Sequence, residues 1–254
     1  MIEPKSVPSE VQIEPPAQPQ ERKHPSILLT ICYAIFLAIV PGFVVGSLFG
    51  IYAGVEDIQN VSAWFAQVDV MLAMTFTIYF LVVPSVFLFS KWSLFESNSR
   101  TISALLSFAP ISLKQMCYVI LSTTLFWLAF TALGILLELP EEPFMMSIKA
   151  SDVSVAFVIL TVCILAPVVE ELVFRGFLFA RLEQSKIGLI GAAVTTSVMF
   201  AAIHSQYTMV GICMVFLLGA YFTWMRIKYR NVVLCMWAHG VCNLLTMVAL
   251  YQFT

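Results

Sequence analysis

Seven apolar stretches constrain the fold of this chain, because each is long enough to cross a lipid bilayer. A transmembrane helix needs about 20 mostly apolar residues. Of the 254 residues, 60% are hydrophobic and only 11% are charged, whereas soluble domains carry about 25% charged residues. The sequence therefore predicts an all-α, polytopic membrane protein with about seven transmembrane helices. The predicted spans are Ile27–Ala53, Val68–Phe89, Gln115–Leu137, Asp152–Phe174, Ile187–His204, Tyr207–Met225 and Val232–Phe253.

The positive charges follow the alternation of these spans. If the amino terminus is cytoplasmic, the cytoplasmic segments hold twelve of the 13 Lys and Arg residues, and only Lys149 lies on the opposite side. Cytoplasmic loops of membrane proteins are enriched in Lys and Arg. The pattern predicts an integral membrane protein with a cytoplasmic amino terminus and an outside carboxy terminus, suited to a bacterial inner membrane. Arg226, Lys228 and Arg230 are interpreted as anchors at the cytoplasmic surface.

The amino-terminal residues 1–26 differ in composition from the rest. They contain six prolines and no apolar periodicity, a composition that cannot bury enough apolar surface to fold. They are predicted to form a disordered, Pro-rich cytoplasmic tail. Residues 27–254 are predicted to form one helical membrane domain, in which the fourth helix has no breaker before about Glu183.

Two adjacent carboxylates, Glu170 and Glu171, lie inside the fourth apolar stretch. A charged side chain at the centre of a bilayer helix costs about 2.5–3.5 kcal/mol on insertion scales, and such residues usually mark function. Arg175 follows Glu171 by one helical turn, so these two side chains can pair. His204 and His239 also lie in apolar segments, which predicts a buried site that contains several ionisable groups.

A further polar motif is His239-Gly-Val-Cys-Asn243, whose first and last side chains project from one helix face. Together with Glu170 and His204, these residues have the chemistry that hydrolysis requires. A buried carboxylate can accept a proton from water. An imidazole and a carboxamide can donate hydrogen bonds to a developing oxyanion.

The three ordered motifs resemble those of the CAAX protease and bacteriocin-processing (CPBP) family, also called the Abi family. This family of intramembrane endopeptidases includes the type II CAAX prenyl endopeptidase. Its hallmarks are Glu-Glu-x-x-x-Arg, Phe-x-x-x-His and His-x-x-x-Asn on successive helices. These stand here at Glu170–Arg175, Phe200–His204 and His239–Asn243. The resemblance covers about residues 166–245, within a catalytic core of about 152–250.

The resemblance implies a glutamic-type intramembrane endopeptidase with a buried active-site cavity and no obligatory cofactor. Glu170 would be the base that activates water, and His204 its partner. His239 and Asn243 would stabilise the oxyanion, while Glu171 and Arg175 would support the site. The expected partners are the lipid bilayer and a membrane-associated or lipidated peptide or protein, not a nucleic acid.

Three other functions are compatible with the same residues. Glu170, His204 and His239 could instead be three zinc ligands with an open fourth position, as in a metalloprotease. The ionisable groups could form the relay of a proton-coupled transporter, or the fold could belong to a non-catalytic bacteriocin-immunity protein. Straight spans also pose a geometric difficulty, since they place Glu170 near the cytoplasmic end of its helix and His204 near the outer end of the next.

Overall fold

The computed structural model describes residues 24–253 and shows a bundle of helices there without any β-strand. The predicted disordered tail lies outside the described residues, except for His24–Ser26. Three of the ten helices in this part of the chain are short connecting elements, and the other seven form the bundle. The helices are α1 Ile27–Val55, α2 Val61–Phe65, α3 Val68–Ser93, α4 Ile102–Leu106, α5 Leu113–Leu136, α6 Pro143–Ala150, α7 Val155–Gln184, α8 Gly188–Ala202, α9 Met209–Tyr229 and α10 Val232–Phe253.

Six of these helices are long and apolar enough to cross a membrane, and α8 is a shorter apolar helix. The all-α polytopic fold predicted from the sequence is therefore confirmed, and the protein is an integral membrane protein. The seven predicted stretches correspond to the six long helices and α8. The fourth helix continues to Gln184, as its lack of a breaker suggested, rather than ending at Phe174.

Helix α7 is the central helix of the bundle. In its most apolar window 56% of the residues are buried, against 11% to 39% in the other five long helices, and every residue from Glu171 to Leu182 is buried. Two segments of α7, Ile159–Leu165 and Leu172–Leu178, are π-helical. Such widened turns often occur at functional sites, and here they flank the α-helical turns that carry Glu170 and Glu171.

The length of α8 resolves the geometric difficulty posed by straight spans. Helices α7 and α8 pack as an antiparallel hairpin joined at Ser185–Ile187. Glu170 lies fourteen residues before the end of α7, and α8 rises over a similar fourteen residues to Ala202, or roughly 21 Å in each case at 1.5 Å per residue. Glu170 and His204 therefore reach the same level, because the hairpin turns at residue 185 rather than soon after residue 174.

The end of the bundle that contains Gln184 is held by polar contacts between distant segments. Arg181 donates to Thr30 Oγ1 at 2.9 Å and pairs with Glu96 Oε2 at 2.9 Å, while Asn231 Nδ2 donates to the Ala109 carbonyl at 3.0 Å. These contacts join segments that the alternation of spans assigns to one side of the membrane. They fix the end of α7 and, through it, the height of the Glu170 carboxylate.

Candidate active site

Glu170 and His204 form the centre of the candidate site. Glu170 Oε2 lies 3.9 Å from His204 Nε2, and each side chain is 15% exposed. His204 Nδ1 lies 2.7 Å from the Phe200 carbonyl oxygen. Because a carbonyl only accepts, Nδ1 carries a hydrogen. In the neutral ring Nε2 is then the nitrogen with a free lone pair, and it is the nitrogen that faces Glu170.

The pair opens onto a cavity of about 360 Å³. Of the six predicted site residues, all of them among the described residues, only Glu170 and His204 line its wall. Most of the wall is apolar and comes from α1, α3, α7 and α8, so the cavity suits an apolar or amphipathic ligand. Its other lining residues include Leu37, Met71, Thr75, Tyr79, Phe144, Phe174 and Met199.

Behind this pair, Glu171 joins Arg175 and His239 in a buried cluster. Glu171 Oε1 accepts a hydrogen bond from Arg175 Nη1 at 3.0 Å, and both side chains are completely buried. The same oxygen lies 3.0 Å from His239 Nδ1, in a ring that is 6% exposed. Glu171 thus orients the imidazole, leaving His239 Nε2 as the ring nitrogen that can act on a ligand. The pairing expected between Glu171 and Arg175 is formed.

Arg175 also ties α7 to α9. Its Nη2 donates to the Gly219 carbonyl at 2.7 Å and its Nε to Thr223 Oγ1 at 3.4 Å. The guanidinium carbon lies 4.4 Å from the centroid of the Phe200 ring. Gly219 has a steric role here, because a Cβ on it would lie 3.1 Å from Phe200 and 3.3 Å from Arg175 Nη2.

Asn243 connects α10 to the first π-helical segment of α7. Its Nδ2 donates to the Val162 carbonyl at 2.8 Å. One turn earlier, a Cβ on Gly240 would lie 3.0 Å from the Cys163 carbonyl oxygen, so the absence of a side chain permits this close approach. Among residues 24–253, those that line the cavity do not include Asn243 or His239. The Asn243 amide keeps a second N–H that this contact does not use.

Arg226 is not the surface anchor that the sequence suggested. It is 2% exposed, and its Nε donates to the Arg175 carbonyl oxygen at 3.0 Å while its Nη2 donates to Ser107 Oγ. Its position at the end of an apolar span gave no indication of this role. Lys228, in contrast, packs against the rings of Tyr118 and Trp224 near the surface, as an interfacial anchor does.

Tyr79 of α3 is a site residue that sequence reasoning missed. Its side chain and that of Glu170 both line the cavity, and their helices α3 and α7 pack together. The sequence carries no signal for it, since a tyrosine in an apolar helix usually packs or faces the membrane interface. Tyr207 lies next to His204, and the planes of the two rings are parallel within 7°.

The side chains considered as zinc ligands do not fit a three-ligand site in this arrangement. A tetrahedral zinc ion needs Glu and His donor atoms about 2.0–2.2 Å from one point. In the part of the chain from residue 24 to residue 253, no three His, Cys, Asp or Glu side chains are grouped closely enough to hold one ion.

Fold and site together define a polytopic membrane protein with a Glu–His pair held at the wall of a mostly apolar cavity. Residues 152–245 match the sequence profile of the family described as type II CAAX prenyl endopeptidase Rce1-like. The match covers the segment that carries the three motifs, so their resemblance to the CAAX protease family is confirmed for these residues.

One relative from Escherichia coli, described as an uncharacterized 24.3 kDa protein, is 37% identical over 112 residues. The match covers 42% of this chain and 51% of that protein, so the chain spans about half of the length of the relative. No solved structure gives a significant match.

Proposed function

We propose that this protein is an intramembrane endopeptidase in which Glu170 activates the water that hydrolyses a peptide bond. The single observation that carries the proposal is the placement of Glu170 Oε2, 3.9 Å from His204 Nε2 at the wall of the cavity. Glu170 Oε2 makes no hydrogen bond within the described residues. It is therefore a buried acceptor without a partner next to a second acceptor, and one water molecule admitted between them would satisfy both.

The proposed reaction uses Glu170 first as a base and then as an acid. The carboxylate takes a proton from water while His204 Nε2 accepts the other hydrogen and holds the oxygen in place. The oxygen bonds to the scissile carbonyl carbon, whose π electrons move to the carbonyl oxygen. When the C–N bond breaks, the protonated Glu170 returns the proton to the leaving nitrogen. The products are a new carboxyl terminus and a free amine.

The proposed oxyanion donors are His239 Nε2 and the unused N–H of Asn243. To donate, His239 Nε2 must carry a hydrogen in addition to the one that Nδ1 shares with Glu171. The rings of Phe222 and Phe200 enclose the imidazole, with the Phe222 centroid 4.7 Å away and nearly parallel. Hydrogen-bond donors in such a water-poor setting stabilise an oxyanion more than they do in water.

The proposed substrate is a membrane-associated peptide, with a prenylated carboxy-terminal C-a-a-X peptide as the form to test first. The family description names a CAAX prenyl endopeptidase, and the mostly apolar cavity wall is compatible with a lipidated ligand. The protein is further proposed to lie in a bacterial inner membrane with its amino terminus in the cytoplasm, in line with the distribution of its Lys and Arg residues.

The experiment uses the purified full chain in lipid nanodiscs with three synthetic peptides. Two end in the same C-a-a-X sequence, farnesylated or unmodified, and the third is an unrelated hydrophobic peptide. Mass spectrometry identifies the bond that is cut. Wild-type protein is expected to cleave the farnesylated peptide, and Glu170→Gln to lose about 100- to 10,000-fold in rate, the usual contribution of a positioned acid–base group.

Two variants make the result specific. Glu170→Asp keeps the charge but withdraws the carboxylate by one methylene from His204, so it should also be severely impaired. Glu141→Gln removes an exposed carboxylate away from the cavity and should cleave like the wild type. A correctly folded Glu170→Gln protein with wild-type turnover would refute the mechanism. Cleavage of the unmodified peptide alone would retain the mechanism and reject the prenylated substrate.

A further inference from the structure

Tyr79 belongs to a face of α3 that forms one wall of the cavity. Met71, Thr75, Ile78, Tyr79 and Val82 all line it, at the spacing of one helix face. Thr75 Oγ1 donates to the Met71 carbonyl within its own helix, so it offers no hydrogen to the site. The Tyr79 phenol is therefore the donor that this face presents to Glu170. It comes from a helix outside the segment that matches the family profile.

Glu170 needs such a donor, because the nearest cation is occupied elsewhere. Arg175 directs its three nitrogens to Glu171, Gly219 and Thr223. Glu170 Oε2 is free of hydrogen bonds within the described residues, and the Tyr79 side chain lines the same cavity as Glu170, from a helix that packs on α7. A glutamate has three rotatable side-chain bonds, and fixing them costs conformational entropy. A single phenol can hold one oxygen and leave the other for water.

We infer that Tyr79 is a positioning residue whose phenol donates to the Glu170 carboxylate and keeps Oε2 directed towards His204. The inference rests on the proposed function, because positioning matters only if Glu170 acts on water. A misplacement of about 1 Å in a reacting group can cost 100-fold in rate. The tyrosine thus links the movement of α3 to the geometry of the reacting carboxylate.

Tyr207, the other phenol near the pair, does not fill this role. Its hydroxyl donates to Met145 Sδ at 3.5 Å, and its ring contacts His204 rather than Glu170. Tyr221 provides a matched control, since its hydroxyl lies 3.0 Å from Thr123 Oγ1 and its ring packs on Phe126 with centroids 4.2 Å apart. Both Tyr79→Phe and Tyr221→Phe delete one partly buried phenolic oxygen.

The first measurement separates positioning from substrate contact and from stability. With the farnesylated peptide, Tyr79→Phe is expected to lower kcat by about 10- to 100-fold, as for loss of a hydrogen bond to a charged group, with KM changed less than about twofold. Its unfolding midpoint should match that of Tyr221→Phe, which should retain wild-type kinetics. A rise in KM at constant kcat, or a loss of activity that follows a loss of stability, would overturn the inference.

The second measurement needs no activity. Infrared spectra of the full-length protein in nanodiscs contain the carboxyl or carboxylate band of Glu170, assigned by its loss in Glu170→Gln. Removal of the phenol should move this band in Tyr79→Phe and leave it in place in Tyr221→Phe. An unmoved band would overturn the contact even if wild-type protein cleaves the peptide. A moved band in a protein that cleaves nothing would retain the contact and reject the proposed function.

Discussion

Replacing Glu171 by leucine should leave an uncompensated cation in the core. Glu171 Oε1 accepts from Arg175 Nη1 and lies beside His239 Nδ1, each at 3.0 Å, and the Glu171–Arg175 pair is completely buried. Removing one partner of a buried ion pair typically costs about 3–5 kcal/mol, because the other charge is left without compensation. Glu171→Leu should therefore lose about 3–5 kcal/mol in the free energy of unfolding, and cleavage with it.

The double variant Glu171→Leu/Arg175→Met separates the two consequences. Replacing a buried ion pair with apolar side chains of similar volume is often neutral or stabilising, so part of the lost free energy should return. Arg175 also gives up its bonds to the Gly219 carbonyl and Thr223 Oγ1, for which about 1 kcal/mol each is a typical net loss. Cleavage should not return, because His239 Nδ1 still lacks the carboxylate that orients it.

Reversible unfolding in mixed detergent micelles measures the free energies, and cleavage of the farnesylated peptide measures activity. Arg230→Met is the control, since it breaks a pair with Glu183 in which the arginine side chain is 58% exposed, worth less than about 1 kcal/mol. If the double variant is as unstable as Glu171→Leu, the buried cation is not the source of the loss. If it regains activity, Glu171 does not orient His239.

Two further predictions concern the oxyanion donor and the topology. Asn243→Ala should lower kcat by about 100- to 1,000-fold, as for loss of an oxyanion donor, with little change in KM. The wild-type protein should stay active after dialysis against a non-inhibitory chelator, with its metal content measured before and after. Stoichiometric zinc that tracks activity would favour the metalloprotease alternative. A reporter fused after Phe253 should be active outside the cytoplasm, and cytoplasmic activity would show that α8 does not count as a crossing.

The fold could be predicted because apolar length is a local property of the sequence. The predicted spans Val68–Phe89 and Val232–Phe253 coincide closely with α3 and α10, and the pairing of Glu171 with Arg175 follows from a spacing of four residues. These features depend only on the period of an α-helix. The family motifs explain why these polar residues occur in this order along the chain, which helical periodicity alone does not do.

The parts that could not be predicted depend on contacts between distant segments. Asn243 donates a hydrogen bond to the Val162 carbonyl in a π-helical segment. Nothing in the local sequence indicates this widened turn. Arg226 looked like an interfacial charge but supports the Arg175 carbonyl from within the core. Tyr79 meets Glu170 only because α3 packs on α7, a pairing that no sequence period encodes.

The fifteen residues of α8 give this protein an unusual relation to the lipids around it. At 1.5 Å per residue the helix rises roughly 22 Å, about 8 Å less than the hydrocarbon thickness of a typical bilayer. The turn after it, which carries His204, has Ile203 exposed and Thr208 capped by the Glu142 carboxylate. Next to α8, either the bilayer becomes thinner or the turn lies within its hydrocarbon region. The thickness of the membrane is thereby expected to influence how readily water reaches the Glu170–His204 pair.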